Sequence, residues 1–238
     1  GEIMQAIIMA GGVGSRLRPL TNTLPKPLVK IIDKPVMEYV IENLVAGGVK
    51  DIAVTVGYKS EMIIDYFGDG SAFGAKLKYY AEDVPLGTAG GVKNASDFIV
   101  DDFLVMSADG LCNIDVKEFC NFHHSHTSRV SMAVRYMPDA RGYGLVKEKD
   151  GVVTSFAEKP KFVVSGLINM GIYAFDKSIL KDIPEGRSDF SYDIFPKLIG
   201  DIRTYESDCF WSDIGTLPDY YMTNHYVCMH PNNFRVSI

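Results

Sequence analysis

Alternating strand-like and helix-like segments over the first two-thirds of the chain predict an α/β fold: a doubly wound, mostly parallel sheet with helices on both faces. Three observations carry that expectation. Residues 6–10 form an apolar run without alternation, as a strand buried on both faces does. The run empties directly into Gly11-Gly12-Val13-Gly14. Helical and strand periods then alternate along the chain up to about residue 128.

Taken in order, Val36, Val40, Ile41 and Leu44 give residues 35–44 helical spacing, and Gly47-Gly48 ends that helix. Residues 51–56 read as a strand, 61–67 as a helix and 75–81 as a strand. A second glycine stretch opens a short helix over 87–96, followed by a strand at 103–106 and a helix at 116–124. From Arg129 the character changes. Segments 130–136, 144–147, 152–158 and 168–175 are strand-like with short turns, including the hairpin signal Lys149-Asp150-Gly151. A helix over 191–198, a strand at Phe210-Trp211 and a closing helix over 217–227 follow. The order is Rossmann-like with an added β-rich portion. No repeat or linker divides it, so residues 1–238 read as a single domain.

The composition bounds the class. The 238 residues suffice for one large α/β domain, and 47% apolar with 23% charged residues is ordinary for a globular protein. No apolar run reaches membrane-spanning length and no signal-peptide pattern opens the chain, so no membrane partner is expected. Gly1, Glu2 and Ile3 precede the first methionine and read in part as a remnant of preparation. Cys112, Cys120, Cys209 and Cys228 form no C-x-x-C pair, as suits reduced thiols and a cytoplasmic location. A net charge of −6 argues against a nucleic-acid polymer as partner.

The first glycine stretch is the centre of the functional reading. Ala10, Gly11, Gly12, Gly14 and Ser15 line a loop that lets backbone N–H groups approach an anion, and Arg16, Arg18 and Lys26 bring full positive charge to it. A tight strand-to-helix turn is the bland alternative. Leu17 stands where a dinucleotide fingerprint needs its third glycine, and Ser15-Arg16 stands where a Walker A loop needs Lys-Ser/Thr. Two aspartates follow strand-like runs, Asp109 after residues 103–108 and Asp213 after Phe210-Trp211-Ser212. Either could be a turn or helix cap; together, at two strand ends, they could supply the one or two carboxylates that Mg²⁺ takes beside substrate phosphates. His123, His124 and His126 lack a completing ligand for zinc and read as the solvent-facing end of a helix.

The string G-G-x-G-S-R-L-x-P-L-T…P-K-P over residues 11–27 resembles the signature of sugar-1-phosphate nucleotidylyltransferases, also called sugar-nucleotide pyrophosphorylases. The Leu86-Gly87-Thr88-Ala89-Gly90 loop, the Trp211-x-Asp213-Ile214-Gly215-Thr216 segment and the order of motifs from Met4 to about Tyr221 are similar to that family too. The resemblance implies transfer of a nucleotidyl group from an NTP to a sugar 1-phosphate, with a nucleotide-binding half at about 4–128 and a sugar-binding half at about 129–238. It implies Arg16 on the triphosphate, Lys26 near the α-phosphate, and Asp109 and Asp213 on Mg²⁺. Glu82, Gly87 and Thr88 fall in the nucleotide pocket. Gly144, Glu158 and Asn169 surround the sugar, with Lys159 on its phosphate; read alone, Glu158-Lys159 is a solvated charge pair and Asn169 a turn former.

One departure stands out: the family's usual Gly-Asp is Ala108-Asp109-Gly110 here, which removes a side chain beside the metal carboxylate. The 86–90 loop looks most like mannose-1-phosphate guanylyltransferases, so GTP is the first expectation, with UTP or CTP and another sugar 1-phosphate as the alternative. The hexapeptide repeats of longer guanylyltransferases do not occur, so the chain reads as a short form or a piece of a longer protein. Two readings from other classes stay open: a non-catalytic NDP-sugar-binding regulatory subunit, and a nicotinamide-dependent oxidoreductase. A homo-oligomer is neither implied nor excluded.

Overall fold

The computed structural model describes residues 4–234; Gly1, Glu2 and Ile3, and with them the remnant reading, lie outside the described residues. Along the chain run β1 (Gln5–Ala10), β2 (Lys30–Ile31), β3 (Lys34–Pro35), α1 (Val36–Ala46), β4 (Asp51–Val56), α2 (Ser60–Phe67), β5 (Lys76–Ala81) and α3 (Gly87–Asn94). Then come β6 (Phe103–Ser107), β7 (Gly110–Cys112), α4 (Val116–His124), β8 (Val130–Met137), β9 (Gly144–Lys149), β10 (Val152–Glu158) and β11 (Gly166–Phe175). The last elements are β12 (Ile202–Glu206), β13 (Trp211–Asp213) and α5 (Leu217–Met229). This is an α/β structure with parallel and antiparallel strands.

Two compact units are interleaved in sequence. One takes Ala6–Pro85, Met106–Val116 and the chain from Cys209 onward. Its strands β5, β4 and β1 are parallel neighbours, with Ile8 opposite Val54 and Val54 opposite Tyr79. Ile7, Ile8, Ile52 and Val54 are fully buried, as their unbroken apolar runs require. α1 turns Val36, Met37, Val40, Ile41 and Leu44 inward and ends at Gly47. A Cβ at Gly47 would lie 2.5 Å from the Val116 Cβ, so close packing with Val116 demands glycine there. A second core, Leu17, Ile31, Val36, Tyr39, Leu111, Ile214 and Val227, packs the segment after β1 against α5.

The other unit takes Leu86–Val105 and Lys117–Asp208, with the N-terminal piece through Gln5. Its strand order is β6-β11-β8-β12-β10-β9, with β9 also paired to β11. β12 runs parallel to β8, whereas β8–β11, β9–β10 and β10–β12 are antiparallel. Asp150 (φ 53°) and Gly151 (φ 76°) turn the β9–β10 hairpin, and two successive positive φ values are what a two-residue turn of the right twist needs. Phe175, Phe190 and Phe195 stack in series, with ring centroids 5.1 and 5.5 Å apart.

Three expectations are corrected. The 191–198 segment is a π-helical turn, Phe190–Ile194, followed by a 3₁₀ turn, Phe195–Lys197, because Pro196 cannot supply the N–H of a regular helix. The histidines are only in part a solvent-facing helix end: His124, the last residue of α4, is exposed as expected, but His123 is buried, and its Nδ1 meets Ser131 Oγ at 2.8 Å while His126 Nε2 meets the same hydroxyl at 2.9 Å. Burial, then the neighbouring His126 and His124, hold the His123 imidazole down at about 4, neutral at physiological pH. The helix expected over 87–96 begins at Gly87 itself and breaks at Asn94 into a 3₁₀ turn.

Candidate active site

β1 delivers the chain into the first glycine loop, which closes in a 3₁₀ turn, Ser15–Leu17. Gly14 has φ 66°, and a Cβ there would crowd Lys26 Cβ at 3.0 Å and Thr21 Cγ2 at 3.2 Å. The left-handed backbone and the crowding together favour glycine. Thr21 Oγ1 donates to the Gly14 carbonyl at 2.7 Å and holds the turn from outside. Gly12, by contrast, has open space where a Cβ would stand. Among the described residues, the N–H groups of Gly12, Val13, Gly14 and Ser15 have no protein acceptor. Ala10, Gly12, Gly14, Ser15, Arg16, Lys26, Asp109 and Gly215 line a cavity of about 200 Å³. Beside it the Glu82 carboxyl stands against Gly11, 3.3–3.4 Å from where a Cβ would be.

The two aspartates reach this unit from distant parts of the chain. Asp109 lies in the turn between β6 and β7, and Asp213 ends β13. β7 and β13 pair antiparallel with Asp213 opposite Gly110, and Ile214 N–H donates to the Asp109 carbonyl at 3.3 Å. A three-residue ladder therefore sets the spacing of the carboxylates. Downstream, Thr216 and Asp219 form a reciprocal capping box that starts α5 and anchors the chain just past Asp213.

Lys26, in the 3₁₀ turn Lys26–Leu28, is 8% exposed. Its Nζ donates to Asp109 Oδ2 and lies 3.6 Å from Asp213 Oδ1. The other Asp109 oxygen, Oδ1, accepts from Ser107 Oγ. Burial pushes the Asp109 carboxyl up, but the Lys26 charge and the hydrogen bonds from Lys26 and Ser107 outweigh it and hold the group below the usual aspartate range. Asp213 goes the other way. Burial and the neighbouring Asp109 charge raise it, against the lowering pull of Lys26 and Arg16. Arg16 Nη2, Asp213 Oδ2 and Asp219 Oδ2 all lie 3.6–3.7 Å from where a Gly215 Cβ would be, so Gly215 leaves room for that convergence.

The donor set fits a hard divalent cation. One oxygen of each aspartate already faces a single positive group, the Lys26 ammonium. Among the described residues no cluster of three or more His, Cys, Asp or Glu side chains is arranged to hold a metal. Two carboxylates are nonetheless the usual protein share of a Mg²⁺ site whose remaining ligands are phosphate and water. Gly110, the departure noted in the sequence, is not imposed by packing, since the nearest atom to a Cβ there would be 3.8 Å away.

The remaining expected residues belong to the other unit. Gly87 has φ 75°, and a Cβ there would meet the Ser188 carbonyl oxygen at 2.6 Å. Ala89 and Gly90 N–H groups both donate to that carbonyl at 3.0 Å, and Thr88 N–H donates to Asp189 Oδ1 at 3.0 Å. Thr88 Oγ1 accepts from Phe190 N–H at 2.9 Å. The donors at the start of α3 are thus taken by the chain itself. Gly144, Glu158, Lys159 and Asn169 gather around β9: Gly144 pairs with Glu158, and β9 also pairs with β11 beside Asn169, at Leu145 with Ile168. A Cβ at Gly144 would be 2.6 Å from the Phe156 ring and 3.0 Å from Glu158 Oε2. Lys159 Nζ is 3.5 Å from Glu158 Oε1, and Asn169 Nδ2 donates to Tyr173 Oη at 2.7 Å.

Sequence reasoning missed Ser107 and the Thr216–Asp219 box. A serine two residues before an aspartate has no signature of its own. The capping box was legible as Thr-x-x-Asp ahead of a helix.

Comparison with known proteins gives the family. The family model described as nucleotidyl transferase matches residues 5–229. A mannose-1-phosphate guanyltransferase of Hypocrea jecorina is 34% identical over 226 residues, 91% of this chain and 62% of that protein. A UTP–glucose-1-phosphate uridylyltransferase of Synechocystis is 35% identical over 92% of this chain and 62% of that protein. The chain therefore spans about 62% of the length of these curated relatives. Among solved structures, HddC from Yersinia pseudotuberculosis superposes with a TM-score of 0.83 at 32% identity, covering 94% of this chain and 99% of that one. A second structure of that protein, complexed with GMP-PN, gives a TM-score of 0.82. On the family match over residues 5–229, this chain belongs to the sugar-1-phosphate nucleotidyltransferase family.

Proposed function

We propose that the protein transfers a nucleotidyl group from an NTP to a sugar 1-phosphate, giving an NDP-sugar and pyrophosphate. The observation that carries this reading is one cavity in which a glycine loop with unclaimed N–H groups, Arg16, Lys26 and the Asp109 carboxylate converge. At about 200 Å³ the cavity is below the roughly 300–1,000 Å³ typical of pockets that enclose a whole small molecule. A polyphosphate fits it better than a complete nucleotide does.

The chemistry needs no protein nucleophile. A non-bridging oxygen of the sugar 1-phosphate forms a bond to the α-phosphorus. The bond from that phosphorus to the oxygen bridging the β-phosphate breaks, and pyrophosphate leaves with the electron pair. The protein's work is to position two polyanions in line and offset their charge. Arg16 takes the β- and γ-phosphates, the loop N–H groups cradle the chain of phosphates, and Lys26 takes the α-phosphate. Asp109, oriented by Ser107, and Asp213 would hold Mg²⁺, which when bound offsets negative charge on the phosphates. Gly144, Glu158 and Asn169 serve the sugar hydroxyls and Lys159 the sugar phosphate. Gly87 and Thr88 border the base, a role that stands beside their bonds to the 188–190 segment. The two halves of the reading, nucleotide at about 4–128 and sugar at about 129–238, belong to this proposal as one catalytic domain.

GTP is the favoured donor. The mannose-1-phosphate guanyltransferases among the relatives and the GMP-PN complex of the Yersinia protein support it. Mannose- or heptose-like sugar 1-phosphates go with this donor. The Synechocystis relative favours UTP with glucose 1-phosphate as the second reading. Four free cysteines suit a reducing compartment such as the cytoplasm. The test is mass-spectrometric detection of the NDP-sugar across a matrix of NTPs and sugar 1-phosphates with Mg²⁺. GDP-sugar in one cell is the expected result; an NDP-sugar with another base moves the assignment to that base, and no product in any cell sinks the reading.

A further inference from the structure

We infer that Lys26 is a resident cation: its ammonium fills the charge site between Asp109 and Asp213 until a metal–nucleotide pair arrives, and only then passes to a phosphate. The inference rests on the nucleotidyl-transfer reading and assigns the free enzyme a defined state. Lys26 Nζ donates to Asp109 Oδ2 and stands 3.6 Å from Asp213 Oδ1, so it holds one oxygen of each carboxylate. A divalent cation held by the two carboxylates would compete with the ammonium for them. Ser107 ties up the other Asp109 oxygen, Oδ1, which leaves Oδ2 as the contested position. An ammonium and a divalent cation cannot share it, because like charges at that range in a buried site repel strongly.

Lysine suits the exchange. Its charge sits at the end of a flexible four-carbon stem and moves without disturbing the backbone, whereas a guanidinium is bound to fixed fork geometry. Lys26 also lines the cavity with Gly12, Gly14 and Arg16, so an anion entering there lies within its reach. Free metal alone gives the displaced ammonium no new partner. Metal together with a polyphosphate does. The free protein therefore resists bare metal and accepts metal with nucleotide.

The test is titration of the protein with Mn²⁺ alone, without nucleotide, followed by electron paramagnetic resonance. Lys26→Met removes the charge but keeps the chain volume, and we expect it to bind Mn²⁺ about tenfold more tightly than wild type. In the same background Asp109→Asn should return the affinity to wild type or below. Unchanged or weaker Mn²⁺ binding by a folded Lys26→Met protein overturns the inference. Should that variant not fold, wild-type crystals with and without Mn²⁺ decide it. Lys26 Nζ withdrawn from Asp109 Oδ2 with metal present supports the exchange; metal bound with the ion pair intact overturns it. Pyrophosphate release by the wild type keeps the two questions separate, since loss of the Lys26 inference leaves that activity standing and absence of the activity leaves the Mn²⁺ comparison readable.

Discussion

The two glycine stretches look alike in sequence and do opposite things in the structure. Around Gly12 there is open space, the loop N–H groups have no protein acceptor among the described residues, and Gly12, Gly14, Ser15, Arg16 and Lys26 line a cavity. Around Gly87 and Gly90 the space is filled by the chain's own Gly186–Asp189 backbone, and the helix-start donors are spent on the Ser188 carbonyl and the Asp189 carboxylate. Glycine richness signals close backbone approach. Whether the approaching group is a ligand or another part of the chain depends on a segment about 100 residues away, which no local pattern reveals. What the cations face separates the cases: Arg16 and Lys26 line the cavity beside the first stretch, whereas Lys93 after the second donates to the Leu180 carbonyl.

Substitutions can break or sharpen this contrast. The largest effect belongs to the first site. Asp109→Asn keeps shape while removing charge, and turnover should fall about 10²–10⁴-fold with unchanged circular dichroism. Near-normal turnover would remove Asp109 from the mechanism. Acid should act on the same place. Burial and Asp109 raise the Asp213 carboxyl above its ordinary value near 3.8, so its cation-binding charged form is lost as pH falls through that raised value. Turnover should drop up to about tenfold per pH unit on that side, with a midpoint above the ordinary one. This loss concerns binding and not folding, because a raised acid favours the folded state when protonated. A pH–rate profile with no acid limb above 3.8 would contradict it.

The second stretch should respond through stability. At Gly90 an added methyl would press into the Gly186 carbonyl, so Gly90→Ala should cost about 1–3 kcal/mol in denaturant unfolding. Thr88→Val removes the acceptor for Phe190 N–H and should cost about 1 kcal/mol. Gly12→Ala, with nothing within 4 Å of the new methyl, should stay within about 0.5 kcal/mol of wild type while raising KM for the NTP. If Gly12→Ala unfolds the protein and Gly90→Ala does not, the contrast between the stretches fails.

Much of this was legible beforehand, for identifiable reasons. β1, β4 and α1 announce themselves through apolar runs and helical spacing, and Asp150-Gly151 carries its hairpin in two residues. Arg16, Lys26, Asp109 and Asp213 were expected from motifs that chemistry constrains. The ladder that joins Asp109 to Asp213 was not. β7 and β13 are three residues each, too short for a period to show, and they pair across about 100 residues of chain. β12 was missed too, because its parallel pairing with β8 depends on a neighbour some 70 residues away. Of the histidines only His124 faces water as a polar helix end usually does; Ser131 offers His123 and His126 a shared buried partner instead.

The most direct measurement of the central claim is Mg²⁺-dependent pyrophosphate release from GTP and mannose 1-phosphate, and from UTP and glucose 1-phosphate, by wild type and Asp109→Asn side by side. Release by wild type in one of these pairs, abolished by chelator and reduced at least about 100-fold in Asp109→Asn, is the expected result. Equal release by both proteins, or none by either with nucleotide still bound, would contradict a catalytic role for the carboxylate–lysine site.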